Sequence, residues 1–125
     1  MCRCVNLFGF DSGLGVVVFS EEFGKEMIVV NIYGPYQNRV PYWNSLLSKS
    51  LIKDNLIIMG GDLNLSLGVA EVWGPKAIPE SLEDFFVSSF ARNGLMDIAP
   101  EKLSATWRNR RAGRIGWRND LTYLW

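Results

Sequence analysis

The chain has 125 residues, with 13 Lys and Arg against 13 Asp and Glu, no histidine, two cysteines and 48% apolar side chains. That length allows one domain or part of one with a useful core, and the apolar share excludes a disordered tail or a low-complexity linker. No stretch approaches the ~20 apolar residues of a membrane span and no signal peptide is legible, so a soluble intracellular protein is expected.

Residues 4–8, 14–19 and 27–33 are short runs rich in Val, Ile, Phe and Tyr, separated by turn residues at 11–13 and 21–24. They predict three consecutive strands in an antiparallel meander. Cys2 and Cys4 fall on one face of the first strand, where a bridge between i and i+2 is geometrically poor; without histidine or a second pair they predict reduced thiols and no zinc site. Gly34-Pro35 stops the third strand. Val40, Trp43, Leu47 and Leu51 recur at helical spacing and predict a helix over 41–53, broken by Asp54-Asn55. Leu56 to Met59 reads as a strand buried on both faces, and a long loop is expected from Gly61 to Pro79. A second helix is signalled by Ser81 as cap, Asp84 three residues on, and a stripe of Leu82, Phe85, Phe86 and Phe90. Asn93-Gly94 should end it in a left-handed turn. Beyond lie a short apolar piece at Leu95-Met96, a strand around Thr106-Trp107, an arginine-rich loop and an aromatic strand from Trp117. Strands and helices in this order predict an α/β or α+β layer fold, without repeats or a domain boundary. A closing Leu121-Thr122-Tyr123-Leu124-Trp125 would be an interior strand, so the chain reads as part of a larger domain.

Charge is balanced overall and unevenly distributed. Residues 1–107 hold 8 basic and 12 acidic side chains, whereas residues 108–125 hold five arginines and only Asp120 as an acid. Arg108, Arg110, Arg111, Arg114 and Arg118 interleave with Trp107 and Trp117. That pattern suits a solvated loop, and it equally suits nucleic acid, with fixed charge for phosphates and flat rings for bases. The stretch from Leu56 to Asn64 is the most informative for chemistry. A strand delivers Asp62 and Asn64 to its carboxyl end, the edge where α/β sheets keep ligands, and Gly60-Gly61 leaves room for an anion or a hydrated metal. Asp62 could take a proton from water, and Asn64 could present an amide to the same site. The same two residue types also commonly cap turns. Trp43, Trp73, Phe85, Phe86 and Phe90 read as packing residues, and Asp97 as a turn or cap residue near the second helix.

Three motifs in order carry a resemblance: Tyr33-Gly34-Pro35, Gly61-Asp62-Leu63-Asn64 and Trp117-Arg118-Asn119-Asp120. The series resembles the endonuclease/exonuclease/phosphatase family of metal-dependent phosphodiesterases. It is most similar to the endonuclease domains of plant LINE-type (non-LTR) retrotransposons, through residues 31–36, 68–75 and 106–109. The resemblance implies a four-layer fold of two β-sheets flanked by helices, of which the 125 residues would be the central and C-terminal part. It implies Mg2+ or Mn2+ at Asp62, DNA as substrate and a reverse transcriptase domain in the parent chain. Carried over, Asp62 orients or deprotonates water, Asn64 bonds that water or the phosphate, and Tyr33 stabilises transition-state charge. Asp120 matches the acid that orients the family's histidine, while Arg108, Arg110, Arg111, Arg114, Trp117 and Arg118 would contact nucleic acid. The family's metal-binding glutamate and its Ser-Asp-His motif have no counterpart here, and Asn119 replaces an apolar residue. The expectation is therefore an inactive endonuclease domain or, alternatively, a non-catalytic relic that binds nucleic acid weakly.

Overall fold

The computed structural model describes residues 1–73, 80–98, 107–108 and 117–118. The β-branched runs form β1 (Cys2–Phe10), β2 (Gly13–Ser20) and β3 (Lys25–Tyr33), paired antiparallel in chain order as the turn residues between them predict. A helical crossover then returns the chain to place β4 (Ile57–Asp62) parallel to β3. Among the described residues this gives a four-stranded mixed sheet in the order β1-β2-β3-β4.

Alternation along the strands divides the sheet into two unlike faces. Ile28, Val30 and Ile32 of β3, with Ile57 and Met59 of β4, are buried on one face. Phe8 and Phe10 extend that face across β1, and two glycines on β2 make room for their rings. A Cβ on Gly15 would lie 2.2 Å from the Phe8 ring, and one on Gly13 2.5 Å from the Phe10 ring. The opposite face carries Leu7, Leu14, Val16, Val29 and Ile58, of which Leu7 and Leu14 are 62% and 51% exposed. The register slips between Cys4 and Asn6. This irregularity keeps Cys2 and Cys4 on the same face as Leu7, and both thiols are exposed and unbridged.

The predicted helix over 41–53 is in fact two: α1 (Arg39–Leu47) and α2 (Ser50–Lys53). It begins earlier because Pro41 falls in the first turn, where a missing N–H is no loss. It breaks at Ser48-Lys49, where the Ser48 hydroxyl donates to the Ser45 carbonyl and Lys49 adopts an extended backbone. Hydroxyls that bond nearby carbonyls compete with the helix in this way. After the break Ile52, rather than Leu51, is the fully buried residue. The expectation for β4 also changes. The strand runs through both glycines to Asp62, and its Ile58 is only half-buried, so one face is covered and not two.

The segment after β4, expected as an open loop, turns into the interior. Leu63, Asn64, Leu65 and Ser66 are all buried, followed by a 3-10 turn at Val69–Glu71 and β5 (Val72–Trp73). The second helix, α3 (Glu83–Arg92), lies where its phenylalanine stripe predicts, with Phe86 and Phe90 buried. Ser81 does not cap it. The boundary residue is Leu82, whose N–H donates to a Glu80 carboxylate oxygen at 3.1 Å. Asn93-Gly94 closes the helix as predicted: Gly94 takes φ 72°, its N–H donates to Ala91, and Leu95 N–H donates to Phe90. This is the paired-bond helix ending that glycine favours, and Leu95 packs into the core behind it.

The core is the seam between the covered sheet face and these helices. Trp43 of α1 meets Phe86 and Phe90 of α3 edge-to-face, with centroids 6.2 and 5.4 Å apart. A hydrogen bond between Tyr42 and Ser12 pins α1 to the β1–β2 turn. A second, small sheet pairs β5 with β7 (Trp117–Arg118) and β7 with β6 (Trp107–Arg108), all antiparallel. Among the described residues no helix is long and apolar enough to cross a membrane.

Trp43 is fully buried, and its indole N–H has no partner among the described residues. Truncating such a side chain typically costs about 3–5 kcal/mol. Trp43→Ala should lower the urea-unfolding free energy by that order. Trp43→Phe should lose clearly less, because it keeps the ring contacts and removes an unsatisfied donor.

Candidate functional site

Parallel strands deliver their carboxyl ends to the same edge, and here the register sets Tyr33 of β3 directly beside Asp62 of β4. Backbone bonds bind the neighbouring segments to this edge. Tyr33 N–H donates to the Ser12 carbonyl at 2.9 Å, and Gly34 N–H donates to the Asp62 carbonyl at 2.7 Å. The β1–β2 turn therefore becomes a wall of the rim. Ser12, Leu14, Asn31, Tyr33 and Asp62 line a cleft of about 340 Å³. Tyr33 is 59% exposed there and Asp62 is half-buried, so a phenol and a carboxylate face solvent side by side.

Two glycines allow this closeness. A Cβ on Gly34 would sit 2.0 Å from the Leu63 carbonyl oxygen. Gly61 holds φ 124°, and a Cβ there would meet the Ile32 carbonyl oxygen at 2.3 Å. The motif glycines are thus needed for backbone approach within the protein itself, whatever ligand the cleft takes.

Asn64 does not line the cleft with Asp62. It is 3% exposed and holds a left-handed φ of 52°, and its Nδ2 donates to the Gly34 carbonyl. Its Oδ1 is buried with no partner among the described residues. Alternation fails here because β4 ends at Asp62 and the left-handed residue turns the side chain inward. Asn64 N–H donates to Asp62 Oδ1 at 3.3 Å, so the carboxylate that faces the cleft is also held from behind.

Arg39 and Glu80 belong to this region, and no motif indicated them. The guanidinium donates to both Glu80 carboxylate oxygens, at 3.0 and 2.7 Å, and to the Asn64 carbonyl at 2.8 Å. The one available signal was position: Arg39 precedes Trp43 by four residues and so lies on the stripe that α1 buries.

Asp120, Arg110, Arg111 and Arg114 lie outside the described residues. The strands expected around Thr106-Trp107 and from Trp117 are present as β6 and β7, with Arg108 opposite Trp117 and Trp107 opposite Arg118. Arg108, read as the start of the arginine loop, belongs to β6.

A hard divalent cation requires several oxygen donors around one point. Among the described residues no three His, Cys, Asp or Glu side chains come together, and Asp62 is the one carboxylate lining the cleft. This donor set does not make a metal site by itself.

No protein-family model matches the chain, and no curated protein matches it. Among solved structures, the fold is similar to that of the endonuclease domain of TRAS1, a telomere-specific non-LTR retrotransposon. The TM-score is 0.67 at 17% sequence identity, over 90% of this chain and 49% of that one. That likeness fixes the fold. The expected mixed α/β architecture is the observed one, and the chain spans about half the length of this neighbour.

A second cleft, of about 280 Å³, lies at the far end of α3 between Leu67, Val87, Phe90, Leu95 and Asp97. Asp97 follows the helix-ending turn, and burial raises its carboxyl above the ordinary 3.8. A carboxyl raised in the folded state favours folding when protonated and loses that advantage as pH rises. Relative to Asp97→Asn, the wild type should therefore lose stability as pH climbs from below 3.8 through the raised value, then level off. Urea midpoints at a series of pH values measure this difference. At the rim, Gly34→Ala and Gly61→Ala should each destabilise by roughly 1–3 kcal/mol, the first through overpacking and the second through backbone strain. Thermal unfolding compared with Gly68→Ala, a control where an added Cβ meets open space, tests both.

Proposed function

We propose that this chain carries the Tyr33–Asp62 rim of an endonuclease-type phosphodiesterase that acts on DNA. The observation that supports it most directly is the pairing of those two residues at the carboxyl edge of parallel strands, in a fold similar to a retrotransposon endonuclease domain. The Asp62 carboxylate would orient an attacking water and accept its proton. The Tyr33 hydroxyl would donate to a phosphoryl oxygen as charge develops there. Asn64 would act through Asp62 and Gly34 instead of touching the phosphate. Asp120 matches the acid that orients a histidine in that family, and these 125 residues contain no histidine for it to orient. Mg2+ or Mn2+, when bound, would neutralise phosphate charge, with Asp62 as its protein ligand and the remaining donors from water and substrate. The segments 31–36, 68–75 and 106–109 favour retroelements of the plant LINE type, with a reverse transcriptase domain in the parent chain.

A non-catalytic reading is favoured by two observations: the chain contains no histidine, and among the described residues its cleft offers a single carboxylate. Loss of one acid-base or electrostatic group typically lowers a rate by ~10²–10⁴. The purified chain is therefore expected to nick plasmid DNA at background level in Mg2+ or Mn2+. Nicking that Asp62→Ala abolishes would show that Tyr33 and Asp62 suffice.

Binding supplies the direct test of the DNA assignment. If Arg108, Arg110, Arg111, Arg114 and Arg118 engage three or four phosphates, log affinity for duplex DNA should fall with log salt at a slope of about −3. Arg110→Ala with Arg111→Ala and Arg114→Ala should flatten that slope. Absence of binding at low salt would remove DNA as the partner.

A further inference from the structure

Arg39 and Glu80 lie outside the motifs that carry the endonuclease reading, and neither lines the cleft. Yet their ion pair holds the turn that follows Asp62. Nη1 and Nη2 of Arg39 engage the two Glu80 oxygens, and Nη2 also donates to the Asn64 carbonyl. Both side chains are nearly removed from water, at 16% and 7% exposure, and the guanidinium lies over the Phe86 ring, 5.0 Å from its centroid. Glu80 in turn accepts Leu82 N–H at the head of α3. One ion pair thus joins the start of α1, the start of α3 and the turn after β4.

From that turn the coupling continues to the rim in two steps. Asn64 reaches one way to Gly34, through Nδ2, and the other way to the Asp62 carboxylate, through its N–H. Gly34 follows Tyr33 directly and donates back to the Asp62 carbonyl. The left-handed conformation of Asn64 is one that non-glycine residues adopt rarely, so something must hold it. A charge-assisted bond to its own carbonyl, made where little water competes, supplies that restraint.

We propose that Arg39 and Glu80 are positioning residues for the rim. Their ion pair fixes the Asn64 carbonyl, and the turn so fixed sets the spacing between the Tyr33 phenol and the Asp62 carboxylate. Arginine is required because its planar fork serves a carboxylate and a carbonyl together, which an ammonium cannot do with the same geometry. The importance of that spacing for phosphodiester chemistry rests on the function proposed above; the positioning itself does not.

Amide hydrogen exchange by NMR on the full chain tests it without DNA or metal, so a failure of DNA binding and a failure of positioning remain distinct. In Arg39→Lys and in Glu80→Gln, exchange at Gly34 N–H and at the Asn64 side-chain amide should accelerate at least about tenfold, the scale of one lost hydrogen bond. The β2–β3 ladder amides should keep wild-type rates, and the Asn64 side-chain amide resonance should shift toward its solvent-exposed position. Millimolar guanidinium should restore protection in Arg39→Ala, whereas equal sodium chloride should not. Uniform acceleration of rim and ladder together would reduce the pair to general stabilisation and overturn the proposal. So would unchanged rim protection in both conservative variants. Should Arg39→Ala fail to fold, the near-isosteric Glu80→Gln still decides the outcome.

Discussion

A chain that turns inside a core must find hydrogen-bond partners there for its own peptide groups, and side chains supply them at Asn64 and Leu67 in the stretch after β4. Leu63 and Leu65 are fully buried and draw the turn inward by their apolar surface. Its polar groups must follow and be satisfied. Arg39 takes the Asn64 carbonyl, the Asp62 carboxylate takes the Asn64 N–H, and the Glu71 carboxylate takes Leu67 N–H at 2.7 Å. One distant side chain, Arg39, and two local ones, Asp62 and Glu71, thus hold peptide groups of this stretch. The rim is shaped by that requirement, since the same turn carries Asp62 at its start.

The sheet explains where the rim can be reached. Its covered face is filled by the Trp43–Phe86–Phe90 cluster and the leucines of α1, whereas its opposite face exposes Leu7 and Leu14. Tyr33 and Asp62 belong to the exposed face by alternation, at the end where β3 and β4 stop. Asn64 belongs to the covered side. The two neighbouring motif residues therefore divide the work: Asp62 meets solvent, and Asn64 anchors the backbone behind it. A carboxylate held through one oxygen by a backbone N–H keeps its other oxygen for the cleft.

Charge is arranged in the same divided way. The acidic majority lies before residue 108, and five arginines follow it. Two of them, Arg108 and Arg118, fall in β6 and β7, which pair with each other.

Much of the architecture followed from the sequence alone, because local patterning and core burial agree. Runs of Val and Ile separated by turn residues became the three-strand meander, and the stripe of Phe86 and Phe90 ending at Asn93-Gly94 became α3. The arrival of Asp62 at a strand's carboxyl end was likewise legible in the apolar run before it. Tertiary structure alone decided the rest. Ser81 lost the cap because Glu80, held by Arg39, already occupied the Leu82 N–H. The helix over 41–53 split where Ser48 and Lys49 left the helical path and Ile52, not Leu51, reached the core. Asn64 turned inward because Gly34, thirty residues earlier in the chain, offered its carbonyl there. Two of these outcomes depend on partners distant in sequence, Arg39 for Glu80 and Gly34 for Asn64, and periodicity and turn chemistry register only neighbours. The pattern of apolar residues could specify which side of each element is buried; which polar group met which other was set only when the elements packed.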